Sequence, residues 1–340
     1  MSTIPAQTDV QNNHVHTKED RKFHQNKLSN LLNSIQHKII GQHQLIQNML
    51  VCLLAGGHVL LEGMPGLAKT RAAKAMAEGI AGEFHRIQFT PDLLPSDLIG
   101  TEIYIHDKSD FVFRKGPIFN HILLADEINR APAKVQSALL EAMEENQVTV
   151  GHESYLLPEL YMVIATQNPI EQEGTYNLPE AQLDRFMMHI EVDYPTPQEE
   201  LLIVELDEKK QSIVNDDPVA VTTQEEVLLA RKAAAGIYIS DNLKKYIVSL
   251  VTATRRPEMY DAELAKCIEH GASPRATLAM IRCAKALAWL LGDEYVTPQH
   301  IHAVAPSILR HRIVPSFISE ADGINRNGII KKLLEVVAIP

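Results

Sequence analysis

Cysteine is scarce: Cys52, Cys267 and Cys283 are the only three in 340 residues, far apart and in apolar surroundings. No zinc-ligand spacing and no disulfide framework can be built from them, so they read as buried reduced thiols of a cytosolic protein. Long apolar runs are also missing. The stretch "MLVCLLAGGHVLL" is interrupted by Gly56, Gly57 and His58, short of the roughly 18 residues expected of a membrane span. No basic segment followed by an apolar one opens the chain, so no signal peptide is expected. Basic charge is in deficit, with 43 acidic against 32 basic residues and a formal net charge of -11. That balance argues against a general nucleic-acid or anionic-membrane surface, although a local basic channel stays compatible with it. The 15 histidines are scattered, and His14 and His16 fall in a polar opening segment without ligand geometry. No internal repeat is apparent.

What is present is a core. The apolar share of 45% is that of a globular protein, and the length suggests two domains. Residues 1–20 read as a polar, disordered tail. A helical period runs from Arg21 to about Ser34, and "QLIQNMLVCLLAG" reads as a helix closed by Gly56-Gly57. Strands and helices then alternate: "HVLLEG", "KTRAAKAMAEGIAG", "FHRIQF", "HILLADEI", "AKVQSALLEAMEE", "YMVIATQNP" and "RFMMHIEV". Such alternation predicts a parallel sheet with helices on both faces. Leu98 to Phe119 alternates at period two about "HDKSD" and reads as an inserted β-hairpin, and "QVTVGHESYLL" as a second one turning at Gly151. From about Thr222 the pattern is purely helical. The expected division is an α/β core over 21–205, then a linker and an all-helical domain over 206–340.

Five segments carry chemistry. "GMPGLAKT" joins a buried strand to a helix, a turn that points backbone N–H groups at an anion beside a positive helix end. It misses the strict phosphate-loop pattern G-x-x-x-x-G-K-S/T at one position, Ala68, whose methyl is tolerable if the local φ is helical. Gly63 and Gly66 allow the bends, Lys69 would reach β- and γ-phosphates, and Thr70 would hold Mg²⁺. In "HILLADEINR" the adjacent acids Asp126 and Glu127 end a buried strand, suited to a metal site and to polarising a water. Asn168 in "VIATQNP" brings an amide to the same sheet edge, where ligands of open α/β sheets bind. Arg185 in "LPEAQLDRF" is either an arginine finger for a neighbouring subunit or half of an Asp184–Arg185 surface pair. Ser273-Pro274 fits a helix start with Arg275 in its first turn, where a cation is disfavoured by the helix dipole and suggests an anion partner, a nucleotide phosphate. Lys69 is the only other obvious cation in cis.

From about residue 25 onward the chain closely resembles the MoxR family of AAA+ ATPases. The motifs are those segments together with "TPDLLPSDLIGT", "GPIF", "GASPRA" and "VAPSILRHRI". The resemblance implies an AAA+ core and helical lid that bind and hydrolyse ATP with Mg²⁺. It implies a Walker A loop of Gly63, Met64, Pro65, Gly66, Leu67, Ala68, Lys69 and Thr70, with Asp126 and Glu127 as Walker B. Asn168 would be sensor 1, Arg185 the arginine finger and Arg275 sensor 2, in cis or in trans. "IIGQ", with Ile40 and Gly41, would flank the adenine. It further implies a cytoplasmic homo-oligomer, a hexameric ring, that remodels a protein client. That client would carry a von Willebrand A domain or be an enzyme receiving a metal cofactor. A nucleic-acid motor is disfavoured by the net charge. A small-molecule kinase leaves Asn168, Arg185, Arg275 and the helical domain without work, and a scaffold that does not turn over leaves Glu127 without work.

Overall fold

The computed structural model describes residues 18–169, 175–212 and 220–339. Most of the expected tail, all of "IEQEG" (residues 170–174) and part of the linker lie outside them. The chain opens with helices α1 (Lys18–Lys38) and α2 (His43–Ala55) and then β1 (Val59–Gly63), α3 (Lys69–Gly79) and β2 (Phe84–Gln88). Next come α4 (Pro95–Ile99), β3 (Gly100–Ile105), β4 (Asp110–Lys115), β5 (Ile122–Asp126) and α5 (Ala133–Glu145). The core is completed by β6 (Gln147–Val150), β7 (Glu153–Leu156), β8 (Met162–Gln167), α6 (Glu180–Leu183) and β9 (Met188–Val192).

Strands β2-β5-β8-β1-β9 form one sheet in that order, every pair parallel. The near-continuous apolar runs of β1, β5 and β8 follow from burial on both faces, whereas β2 at the edge has alternating polar residues. Successive side chains alternate between them. Leu61, Leu124 and Ile164 face α1, α2 and α3, whereas Leu60, Leu123 and Val163 face the opposite core, which includes Leu139 and Leu140 of α5.

The inserted hairpin is shorter than its sequence suggests. Pairing runs from Gly100↔Lys115 to Ile105↔Asp110, and Leu98 and Ile99 belong to α4. Leu98 and Ile118 are fully buried, so the flanks of the period-two stretch are anchors rather than strand. The base is pinched: a Cβ on Gly100, whose φ is +110°, would lie 2.2 Å from the Arg114 carbonyl oxygen. The second hairpin turns at Gly151 as expected, and its Tyr155 ring meets Phe113 of β4 with centroids 4.4 Å apart.

After β9 come α7 (Pro197–Ser212), α8 (Gln224–Ala235), α9 (Asp241–Arg255), α10 (Ala262–Cys267) and β10 (Ile268–His270). The chain ends with α11 (Pro274–Leu291), α12 (Pro298–Leu309), β11 (Val314–Pro315), α13 (Phe317–Ala321) and α14 (Arg326–Val336). The region is mostly but not purely helical: β10 and β11 pair antiparallel, because two extended crossings lie side by side and satisfy each other's backbone groups. Helix α11 starts as read, with Ser273 Oγ accepting from the Arg275 N–H and Pro274 in the first turn. Helix α2 is apolar on nearly every side because it packs against β9 as well as α8 and α11. One apolar cluster thus continues from the sheet through α2 into the C-terminal helices.

Candidate nucleotide site and arginine cleft

The loop between β1 and α3 is shaped by close approach and by left-handed backbone. A Cβ at Gly63 would fall 2.6 Å from the Val192 carbonyl oxygen of β9. Gly66 has φ +87° and Ala68 φ +59°. Ala68 is therefore not helical, contrary to expectation. It takes the left-handed conformation that the glycine of the strict pattern would supply, at a cost of about 1–2 kcal/mol. No side chain caps α3, which leaves its first N–H groups for an anion. Lys69 Nζ donates to the Gly63 carbonyl at 2.5 Å. Burial pushes its pKa down, opposed by the charges of Asp126, Glu127 and Glu62.

The carboxyl edge of the sheet supplies the rest. Thr166 Oγ1 donates to Asp126 Oδ1 at 2.5 Å and accepts from the Glu127 N–H at 2.9 Å, tying β5 to β8. Glu127 stands at φ +56°, so the chain turns sharply between the two acids. Lys69, Thr70, Asp126, Glu127, Thr166 and Asn168 line one cleft of about 330 Å³. Arg86 lines it too, with Nη2 2.7 Å from Asp126 Oδ2, so Lys69 is not the only cation at the cleft. Gln88 Nε2 donates to Glu127 Oε2 at 2.7 Å, and Arg130 Nε lies 3.0 Å from the same oxygen. Sequence reading missed Arg86 and Gln88. Their signal was the period-two spacing of polar residues in "FHRIQF", which put both on one face of a strand whose partner was not known.

The remaining loop residues are less central. Met64 is half-buried and Leu67 buried against the apolar core. Ile40 and Gly41 lie between α1 and α2, with Gly41 close to Pro195 and Glu199 rather than in the cleft. Arg71 of α3 reaches toward them, its Nη2 donating to the Lys38 carbonyl at 3.2 Å.

Arg185 and Arg275 are brought together, but away from Lys69. They line a second cleft of about 630 Å³ that shares none of those lining residues. Both contact one carboxylate: Arg185 Nε lies 3.2 Å from Glu144 Oε2, and Arg275 Nη2 bonds Glu144 Oε1. The surface pair Asp184–Arg185 is not formed. Asp184 instead binds Arg312 Nε at 2.6 Å and Ser273 Oγ at 2.8 Å. Arg275 does have anionic partners, as its helix position suggests, but within the subunit they are Glu144 and, at 3.8 Å, Asp184. The buried Arg312 also donates to the carbonyls of Asp184, Phe186 and Met187, and His311 Nε2 bonds the Phe186 carbonyl. These ties explain "RHRI", a motif to which sequence reading assigned no role.

Residues 58–188 match the family model "ATPase family associated with various cellular activities (AAA)", and residues 261–333 match the AAA lid domain. Chaperone MoxR1 of Mycobacterium tuberculosis is 45% identical over 307 residues, 90% of this chain and 80% of that protein. Protein MoxR of Paracoccus denitrificans is 32% identical over 87% of this chain and 90% of its own. A crystal structure of a candidate ATPase from Cytophaga hutchinsonii superposes with a TM-score of 0.87 at 46% identity, covering 95% of this chain and 97% of that one. With relatives this similar along most of its length, and with the ATPase and lid models matched in order, the chain belongs to the MoxR family of AAA+ ATPases.

Proposed function

We propose that this protein is an ATP-hydrolysing, chaperone-like ring, a hexamer in the cytoplasm, that remodels a protein client. The observation that carries the reading is the separation of the two clefts. One gathers Lys69, Thr70, Asp126, Glu127 and Asn168, while Arg185 and Arg275 line the other. A neighbour that brings the second against the first completes a site neither subunit holds alone.

The donor set fits a nucleotide with Mg²⁺: left-handed turns at Gly66 and Ala68, uncapped helix N–H groups, a lysine, a hydroxyl and two acids. The loop Gly63–Thr70 binds phosphates through its backbone, and Lys69 leaves the Gly63 carbonyl to reach them. Thr70 and Asp126 would hold Mg²⁺, which supplies positive charge against the phosphate oxygens. Glu127 orients and polarises the attacking water, with Asn168 beside it. Ile40 and Gly41 flank the base. Arg185 and Arg275 act in trans, where an arginine finger is worth about 10³–10⁵ in rate. The division into a 21–205 core and a 206–340 lid belongs to the same reading. The name of the mycobacterial relative, a chaperone, supports a protein client, with a von Willebrand A domain protein as the first class to try.

The test is complementation. Arg185→Ala and Lys69→Ala proteins should each be nearly inactive, and mixing them should restore part of the turnover, because some interfaces pair an intact Lys69 with an intact Arg185. Wild-type specific activity should rise with protein concentration. No recovery, together with concentration-independent turnover, would mean a self-sufficient monomer.

A further inference from the structure

Glu144 touches neither the phosphate loop nor the two acids, yet it contacts both Arg185 and Arg275. It sits in the last turn of α5, which has no basic residue, so its charge faces the negative end of its own helix. Arg275 is in the first turn of α11, at the positive end of its own. Each charge stands at the helix end that disfavours it, and the two face each other. Stability alone gives little reason for this, since the side chains are 38% and 46% exposed and such pairs contribute modestly.

The Arg185 backbone is already fixed. Phe186 beside it is fully buried, and Arg312 holds the carbonyls of Asp184, Phe186 and Met187. The long side chain is what remains to be oriented, and the Glu144 carboxylate pairs with it at Nε, 3.2 Å away. No hydrogen bond ties up the Nη1/Nη2 fork among the described residues, and a fork is what a phosphate accepts in bidentate fashion. Two guanidiniums at one place would also repel, and a carboxylate between them offsets this with one oxygen for each.

We infer that Glu144 is a positioning residue: it holds Arg185 by Nε, beside Arg275, so that the Arg185 fork is presented to the phosphates of a nucleotide bound by the neighbouring subunit. The inference rests on the trans reading above and adds a residue to it. Misplacing a catalytic group by 1 Å can cost about 10²-fold. Glu144→Gln should therefore lower kcat by about tenfold or more with KM for ATP nearly unchanged, because the loss falls on the transition state.

The experiment measures kcat and KM for wild type, Glu144→Gln, Arg185→Ala and the double variant, each full-length and checked by thermal melting. The expected result is that Glu144→Gln costs nothing further in the Arg185→Ala background. Mixing Glu144→Gln with Lys69→Ala should restore turnover, since the Lys69→Ala subunit still offers a well-placed Arg185. A merely structural role would give additive losses and no recovery. Unchanged kcat in Glu144→Gln beside a collapsed Arg185→Ala overturns the inference and leaves the trans reading standing. A rise in kcat overturns it too, since the carboxylate would then compete with phosphate. Wild-type turnover in Arg185→Ala removes both.

Discussion

Arg86 closes on the carboxylate of Asp126 through two nitrogens, Nε at 3.0 Å and Nη2 at 2.7 Å from Oδ2. The guanidinium occupies an oxygen that a divalent cation would also use, so the two compete. Arg86→Gln should lower the Mg²⁺ concentration needed for half-maximal nucleotide binding. A metal titration with a fluorescent ATP analogue reads this. Fold stability should change by less than about 1 kcal/mol, because the arginine is half exposed. A higher Mg²⁺ requirement would show that Arg86 assists the metal site.

Glu127→Gln should keep nucleotide binding and lose turnover by about 10²–10⁴-fold, the usual worth of a general base. Lys69→Ala should weaken binding itself. The two effects separate when equilibrium titration is set beside steady-state turnover. Wild-type hydrolysis in the Glu127→Gln protein would show that the water is activated elsewhere.

Ala68 holds a left-handed φ of +59° that glycine adopts without strain. Ala68→Gly relieves about 1–2 kcal/mol but adds unfolded-chain entropy of about 0.5–1 kcal/mol. The protein should gain up to about 1.5 kcal/mol, visible as a raised Tm, with nucleotide affinity preserved. A lowered Tm would mean that the Ala68 methyl, packed on the apolar core, contributes more than its backbone costs.

His58 is buried, accepting from the Val163 N–H at Nδ1 and bonding the Met143 carbonyl at Nε2, so the ring is neutral. Burial pushes its pKa down to about 4 from the usual 6.5. The native state resists the proton that the unfolded chain takes up, so this contribution is fully present above pH 6.5 and is lost as pH falls toward 4. It amounts to about 3 kcal/mol. Urea midpoints measured from pH 7 to pH 5 should fall, and less steeply in His58→Gln. Equal slopes would assign the acid sensitivity to other groups, such as the buried His311, which its burial and Arg312 also hold neutral.

Replacing the hairpin from Ile103 to Val112 with a short Gly-Ser turn should leave nucleotide binding and Tm nearly unchanged, because Ile103, Tyr104, Phe111 and Val112 are exposed. Leu98→Ala, at the buried base, should cost about 2–5 kcal/mol by urea unfolding. Loss of binding in a folded hairpin variant would place the element at the nucleotide instead.

The sheet, its parallel sense and the glycine-containing turn between β1 and α3 were legible in the sequence because they are written in local pattern. Buried strands are apolar runs, core helices show a helical period of apolar residues, and Gly63, Gly66, Lys69 and Thr70 are close along the chain. Asp126 and Glu127 were legible for the same reason, as acids at the end of such a run. What neighbours them was not. Arg86 meets Asp126 and Gln88 meets Glu127 only because β2 pairs with β5, and strand order is set by tertiary packing. The conformation of Ala68 was misread because a left-handed turn is imposed by the strand and helix it joins, not by alanine's own preference. Sequence order likewise leaves Arg185 and Arg275 90 positions apart, and Glu144 more than 40 from either. Their meeting depends on Arg312 and His311 binding the turn before β9, a long-range contact that no local periodicity encodes.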